Sequence, residues 1–342
     1  KANELLLEDG QVRGVSLNNS EGVADISLRA PVVINATGAW ADRLRNQVNP
    51  EKRIRPLRGS HLIIPRELMP VTDVLTSLHP EDKRGVYVYP WEGSTVIGTT
   101  DLDHDEDLDV EASINNAEVD YLLQAFNVQF PKQTISRADI ISSWAGVRPV
   151  IGSESSKDPS KERRDHAVWS DNGLITVSGG KLTTFRLIAL DALKAALPQL
   201  PEAKPFTDER VFNTPDTTPE ELIADDPVWA QRLLGRYGIQ AKAMLESAPE
   251  AERQRIAGTD FCLAECRWAA RHEAVSHLDD LLLRRTRLGM VMVHGAMELL
   301  PALEAICTSE LGWDHDHWHL EVKRYLSIWK RFYSLPEDND RP

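Results

Sequence analysis

A chain of 342 residues, 42% hydrophobic and 27% charged, has the make-up of a globular protein with more than one domain and a large core. Its net charge of −14 excludes nucleic acid as a partner, because phosphates would be repelled, and excludes a membrane surface held by bulk charge; a basic run, Arg284-Arg285-Thr286-Arg287, still leaves a local membrane contact open. No apolar run approaches the ~18 residues that a membrane-spanning helix needs, and the 3 cysteines point to a reducing compartment such as the cytoplasm.

In chain order, Glu4 to Leu7 and Val12 to Leu17 predict two strands joined by Glu8-Asp9-Gly10-Gln11, a hairpin signal. Val23 to Leu28 predicts another short strand. Pro31 to Asp42 is then expected as a continuous apolar strand that passes through Ala36-Thr37-Gly38 into a helix. That pattern suits a buried parallel strand with a ligand at its carboxyl end, and equally an ordinary tight turn. From Ile54 to Val168 the pattern is β-rich, with strands expected at His61 to Pro65, Gly85 to Pro90 and Ser94 to Thr100. One helix interrupts them. Val119, Leu122, Leu123 and Phe126 share a face, Asn115 with Glu118 resembles a capping box, and Pro131 lies beyond the end. The acidic run Asp101 to Glu111 is expected to be a solvated loop.

The stretch Ser178-Gly179-Gly180-Lys181-Leu182-Thr183-Thr184-Phe185-Arg186 follows a buried strand, Gly173 to Val177, and opens a helix that Pro198 stops. Backbone donors at a helix N-terminus make an anion site, to which Lys181 adds a full charge. A plain helix start with a solvated lysine would have the same sequence. Pro198, Pro201, Pro205, Pro215 and Pro219 mark a linker. Beyond it the chain is helical: Thr218-Pro219-Glu220-Glu221 is a capping box with proline at the first turn, and Asp226-Pro227 repeats that start. Further helices are expected at Ala264 to Ala274, Leu278 to Leu288, Leu303 to Leu311 and His317 to Tyr333, with Gly312 as a C-cap. Cys262 and Cys266, one helical turn apart without a second pair, are expected to be packing residues. Asp314 is placed to cap a helix on which His315 and His319 share a face and His317 points away. No carboxylate or cysteine set completes a metal shell there, so no metal is expected.

The wording of residues 178–186, with Thr37-Gly38-Ala39-Trp40-Ala41 and Ala145-Gly146-Val147-Arg148-Pro149, resembles the FAD-dependent glycerol-3-phosphate dehydrogenases of the D-amino-acid-oxidase superfamily. Residues 278–289 resemble that family's C-terminal helical domain, and the resemblance runs from Glu4 to about the end of the chain. It implies an α/β plus α protein: part of an FAD/NAD(P)-binding domain (residues 1–50 and 170–200), an inserted, mainly antiparallel β cap that binds substrate (51–169), and an all-α C-terminal domain (215–342). The family carries Gly-x-Gly-x-x-Gly near its N-terminus, and this sequence has no such motif. The expectation is therefore the later portion of a longer protein, binding little FAD by itself.

The resemblance also implies roles. Ala36, Thr37, Gly38 and Trp40, with Gly179, Gly180, Lys181, Leu182, Thr183 and Thr184, would line FAD, Gly38 and Gly180 allowing close approach. A helix N-terminus with Lys181 beside it suits the negative charge that reduced flavin gathers on its pyrimidine edge. Arg148, Arg164 and Lys181 would face a phosphorylated polyol, arginine matching phosphate oxygens with a planar fork; a surface ion pair is the alternative for either arginine. His61, in Arg58-Gly59-Ser60-His61, matches a histidine near the flavin and would take the hydroxyl proton, or else it is a structural histidine at a strand start. The implied reaction oxidises sn-glycerol 3-phosphate to dihydroxyacetone phosphate, with quinone as acceptor, in a homodimer at the cytoplasmic face of the inner membrane. The rivals are a glycerol-3-phosphate oxidase, an amine or amino-acid oxidase of the same superfamily, and a folded non-catalytic fragment.

Overall fold

The computed structural model describes residues 1–18, 26–152, 165–200 and 211–337. Arg163, Arg164, Pro201, Pro205 and the first half of the strand expected over Val23 to Leu28 lie outside them.

The chain opens with β1 (Ala2–Glu8), β2 (Gln11–Leu17), β3 (Ile26–Arg29), β4 (Val33–Asn35), the short helix α1 (Ala41–Arg45) and the long strand β5 (Ile54–Pro65). There follow β6 (Leu75–Leu78), β7 (Gly85–Trp91), β8 (Ser94–Gly98), β9 (Leu102–Asp103), α2 (Asn116–Gln129), β10 (Ser142–Ile151), β11 (His166–Asp171), β12 (Leu174–Gly179) and α3 (Phe185–Ala196). The remainder is helical: α4 (Pro219–Leu222), α5 (Pro227–Tyr237), α6 (Ala241–Glu246), α7 (Leu263–His272), α8 (Leu288–Val291), α9 (Leu300–Leu311) and α10 (His315–Phe332). Two compact units result: residues 1–59, 101–111 and 146–209, and residues 60–100, 112–145 and 210–342. The chain passes between them within β5 and β10.

In the first unit β1, β2 and β3 form an antiparallel sheet. Asp9 and Gly10 both have positive φ (49° and 74°), the requirement of the tight hairpin that the sequence predicts between β1 and β2. Leu5 and Val12 pack with Leu44 and Leu174 in a small core. A second sheet has the order β11-β12-β4, β12 lying antiparallel to β11 and parallel to β4, with Leu174 opposite Val33 and Thr176 opposite Asn35. β4 is much shorter than the continuous strand expected from Pro31 onward. The buried Asn35 side chain stops it: Oδ1 accepts from the Thr37 hydroxyl at 2.7 Å, and Nδ2 donates to the Ala41 carbonyl at 2.8 Å. The side chain thereby ties the turn to the start of α1.

The acidic run Asp101 to Glu111 is mostly exposed and irregular, as expected of a solvated loop, but parts of it are ordered by partners in β5 and α1. β9 pairs with the opening of β5, and Asp101 and His104 are buried. Arg55 holds Asp103, Arg58 holds Glu106, and Arg43 holds both Asp107 and Asp109. The carboxylates find their arginines some fifty to sixty residues earlier in the chain, which local composition does not reveal.

In the second unit the sheet order is β10-β5-β8-β7-β6. Alternate residues of β5 go to opposite faces. Leu62 and Ile64 join Val86, Val88 and Ile97 beneath Leu122 and Phe126 of α2. Ile63 joins Val96 on the other face, in a core with Phe261, Leu278, Leu282 and Tyr325 of the C-terminal helices. Burial on both faces explains why Leu62 to Ile64 is a continuous apolar run rather than an alternating one.

The helix starts follow their sequence signals. Asn115 with Glu118 and Thr218 with Glu221 form capping boxes, and the Asp226 and Asp314 side chains accept from Trp229 and His317. Gly312 ends α9 in the left-handed conformation. The single helix expected over Leu278 to Leu288 is instead a π-helical turn, Asp280–Arg285, a break at Arg287 (φ 66°) and then α8. Thr286 causes the widening: its amide and its hydroxyl both donate to the Leu281 carbonyl, at 3.0 and 2.7 Å. His315 and His319 do share a face, Nε2 to Nε2 at 2.9 Å, with His315 Nδ1 also 2.9 Å from Glu304. Among the described residues no group of three or more metal-ligating side chains is assembled, and no helix is long and apolar enough to cross a membrane.

Candidate functional site

β4 and β12 are parallel neighbours, so the segments that leave their carboxyl ends share one end of the sheet. From β4 come Ala36, Thr37, Gly38 and Trp40; from β12 come Gly179, Gly180, Lys181, Leu182, Thr183 and Thr184. β12 also lies against the turn Gly38–Trp40. This is the crevice position at which open α/β sheets bind ligands.

Local chemistry shapes each segment. Gly38 has φ +63°, and nothing lies within 4 Å of where its Cβ would be, so its backbone faces open space. Gly179 (φ +78°) and Gly180 (φ +81°) are constrained from the opposite side: a Cβ at the first would sit 2.5 Å from the Asp165 carbonyl oxygen, and at the second 2.5 Å from Ile188 Cδ1. Only glycine meets both the conformation and the room. After them Lys181 is extended, Leu182–Thr184 make a 3-10 turn, and α3 begins with no side-chain cap at either start. The Thr184 and Phe185 amides are taken up by the Lys181 and Leu182 carbonyls of the 3-10 turn, so the helix dipole, rather than these two amides, gives this end its electropositive character. Lys181, Thr183 and Thr184 are exposed, as are Leu182 (88%), Phe185 and Trp40.

Arg148, on β10, belongs to the same unit. Its Nη1 donates to Asp101 Oδ1 at 3.2 Å, and its guanidinium lies over Gly59. The strand that carries it ends beside the glycine loop, since Ile151 Cδ1 would be 3.1 Å from a Cβ at Gly179. Residues 36–40, residues 179–184 and Arg148 are thus grouped within one unit. Arg164 lies outside the described residues.

His61 belongs to the second unit. Its ring stacks on Trp144 with centroids 3.8 Å apart and planes at 5°. It occupies the space beside Gly98, where a Cβ would come within 2.1 Å of its Cδ2. The imidazole is buried and rigidly oriented. Next to it in sequence, the Ser60 hydroxyl donates to Glu118 Oε1 at 2.8 Å, and the Thr100 hydroxyl donates to the same oxygen at 2.6 Å.

The roles of three of these partners do not follow from local sequence: Asp101 reads as part of a solvated loop, Gly59 as a neighbour of His61, and Glu118 as a helix cap. The available signal for Asp101 was its position directly after the strand expected at Ser94 to Thr100, a place where side chains of a sheet edge become functional.

Comparison with known proteins agrees with this architecture. Residues 1–186 match the family described as FAD dependent oxidoreductase, and residues 219–317 match the C-terminal domain of alpha-glycerophosphate oxidase. Glycerol-3-phosphate dehydrogenase 2 of Mycobacterium tuberculosis is 32% identical over 340 residues, covering 94% of this chain and 57% of that protein. The aerobic glycerol-3-phosphate dehydrogenase of Bacillus subtilis is 38% identical over 192 residues, 55% of this chain and 34% of the relative. Among solved structures, the glycerol-3-phosphate dehydrogenase from Bacillus halodurans complexed with FAD superimposes with a TM-score of 0.76 at 24% identity, covering 96% of this chain and 68% of that one, which shows a common fold. The chain spans 57% of the length of the mycobacterial relative. Since more than half of its residues match the first of these families, the chain belongs to the FAD dependent oxidoreductases.

Proposed function

We propose that this chain carries part of the flavin domain, the substrate cap and the C-terminal helical region of an FAD-dependent glycerol-3-phosphate dehydrogenase, which oxidises sn-glycerol 3-phosphate to dihydroxyacetone phosphate and passes the electrons to quinone. In this reading residues 1–50 and 170–200 are flavin domain, 51–169 the cap and 215–342 the helical domain. The observation that carries it is the grouping of residues 36–40 and 179–184 at the carboxyl ends of two adjacent parallel strands, with an arginine from β10 in the same unit. The names of the relatives supply the substrate.

The residues present fit FAD. The open backbone at Gly38 leaves room for a flat ring, and the extended Lys181 with the turn after it brings a cation and a helix N-terminus to the same end of the sheet. FAD, when bound, supplies the acceptor for the electrons leaving the carbinol carbon. The chain's own residues do the rest. The amides at 182 and 183 and the Lys181 ammonium would balance negative charge on a bound flavin. Arg148, joined by Arg164, holds the substrate phosphate, and His61 takes the hydroxyl proton from a fixed ring position. The same reading expects a cytoplasmic homodimer resting peripherally on the inner membrane.

The test is glycerol-3-phosphate-dependent dye reduction by the full-length, FAD-loaded enzyme of which this chain is read as a part. Lys181→Ala and Arg148→Ala are each expected to lower kcat/KM by about a hundredfold or more; undiminished activity in both would overturn the residue assignments. A second reading is favoured by the match of residues 219–317 to a domain named for an oxidase. It uses oxygen as acceptor, and stoichiometric hydrogen peroxide would establish it.

A further inference from the structure

The side chain of Arg148 lies in space that position 59 leaves vacant. A Cβ built on Gly59 would fall 2.1 Å from Arg148 Nη2, 2.3 Å from Nη1 and 2.4 Å from Cζ, so the guanidinium group as a whole occupies the volume that a side chain there would need. Gly59 is not among the glycines with positive φ. Backbone conformation therefore does not account for glycine at this position, whereas room for Arg148 does. The guanidinium is also fixed from the side. Nη1 donates to Oδ1 of Asp101, whose side chain is 9% exposed while that of Arg148 is 28% exposed. A partly exposed arginine is thus seated on a bare backbone and tethered to a buried carboxylate.

We propose that Gly59 and Asp101 are positioning residues that hold the Arg148 guanidinium in the orientation that receives the substrate's phosphate, and so set the preference for a phosphorylated over an unphosphorylated polyol. The inference rests on the reading of Arg148 as the phosphate-holding residue. A planar fork discriminates among oxyanions only when its plane is fixed, and a long flexible side chain does not hold a plane unaided. Gly59 defines the plane by the surface on which the group rests. Asp101 defines the rotation within that plane by its bond to Nη1. Neither touches the reacting carbon, so their loss weakens binding more than it slows chemistry.

The experiment compares Asp101→Asn, Gly59→Ala, Arg148→Ala and the double variant Asp101→Asn/Arg148→Ala in the flavin-loaded holoenzyme. It reads kcat and KM for glycerol 3-phosphate, the inhibition constant of inorganic phosphate, and the flavin absorbance. With Asp101→Asn, KM and the phosphate inhibition constant are expected to rise together by about tenfold, with a much smaller fall in kcat. The double variant is expected to bind no more weakly than Arg148→Ala alone. A merely structural Asp101 would lower the melting temperature and leave both constants where they were, and that result overturns the proposal. Should Arg148→Ala raise both constants while Asp101→Asn and Gly59→Ala do not, the clamp is wrong and the function of Arg148 stands. Should Arg148→Ala itself leave them unchanged, both fall together. If Gly59→Ala fails to fold, Asp101→Asn still decides.

Discussion

Nε of Arg45, a side chain only 1% exposed, lies 2.8 Å from Oδ2 of Asp171, joining α1 to the last residue of β11. Nη1 of the same arginine donates to the Glu51 carbonyl at 2.6 Å, and Oδ1 of Asp171 accepts from Asn49 at 2.8 Å. Trp169 covers the guanidinium, 5.4 Å from its ring centre. Removing one partner of such a pair strands a buried charge. Asp171→Ala is therefore expected to destabilise the protein by about 3–5 kcal/mol. Arg45→Met, which removes the buried charge and keeps much of the volume, is expected to do less harm. Urea unfolding of the two variants checks the order.

The glutamate beneath Ser60 and Thr100 gives a second prediction. Glu118 is 2% exposed; one oxygen accepts from both hydroxyls and the other from the Asn115 amide at 3.1 Å. Glu118→Ala leaves those donors without their acceptor in a dry place, which is expected to cost about 2–3 kcal/mol. The drop appears as a lowered thermal midpoint, and Glu118→Gln should recover part of it.

Thiol reactivity gives a third. Cys262, Cys266 and Cys307 are all free and buried. Burial pushes the Cys262 and Cys307 thiols up to about 12, and Cys266 well above its ordinary value. The thiolate is the reactive form. A disulfide-exchange reagent at pH 8 is expected to label no cysteine of the folded protein, and all 3 after denaturation. Labelling of the native protein at the denatured rate would contradict the burial of these thiols.

Acid sensitivity gives a fourth. Hydrogen bonds from Arg271, reinforced by Arg267 and opposed by desolvation, hold the Glu310 carboxyl at about 2, below its ordinary 4.5. A depressed folded value means that the contribution to stability is fully present above the unfolded value and is lost as pH falls from about 4.5 toward about 2. The wild-type protein is expected to be more stable than Glu310→Gln at pH 6, and the gap is expected to close on acidification through that window. Denaturation midpoints of the two proteins at a series of pH values measure it; a gap that widens at low pH would contradict the sign.

Much of the local structure was legible because its causes sit within a few residues. Asp9-Gly10 turns a hairpin, Asn115 and Glu118 cap a helix, and Gly312 ends one, each through its own backbone preference. The residues of the candidate site were legible as two loops and an arginine. Strands β6, β10 and β11 were not singled out. Nor were three further features: the short length of β4, the order within the acidic run and the π-turn before Arg287. Each depends on a side chain whose partner the sequence pattern does not identify, namely Asn35 reaching to Ala41, the carboxylates meeting Arg43, Arg55 and Arg58, and Thr286 sharing the Leu281 carbonyl.

By itself, then, the sequence determined many of the strands and helices, where several of the helices start, and which loops could hold an anion. Those outcomes follow from spacing, capping and chain stereochemistry over one or two turns. Only the tertiary structure decided that residues 36–40 and 179–184 leave the same end of one sheet, that Gly59 is vacant so that Arg148 can lie there, and that Arg45 meets Asp171 126 residues away. The physical reason is that packing and charge pairing act between surfaces brought together by the fold, and which distant side chain fills a given space is not written in the residues beside it.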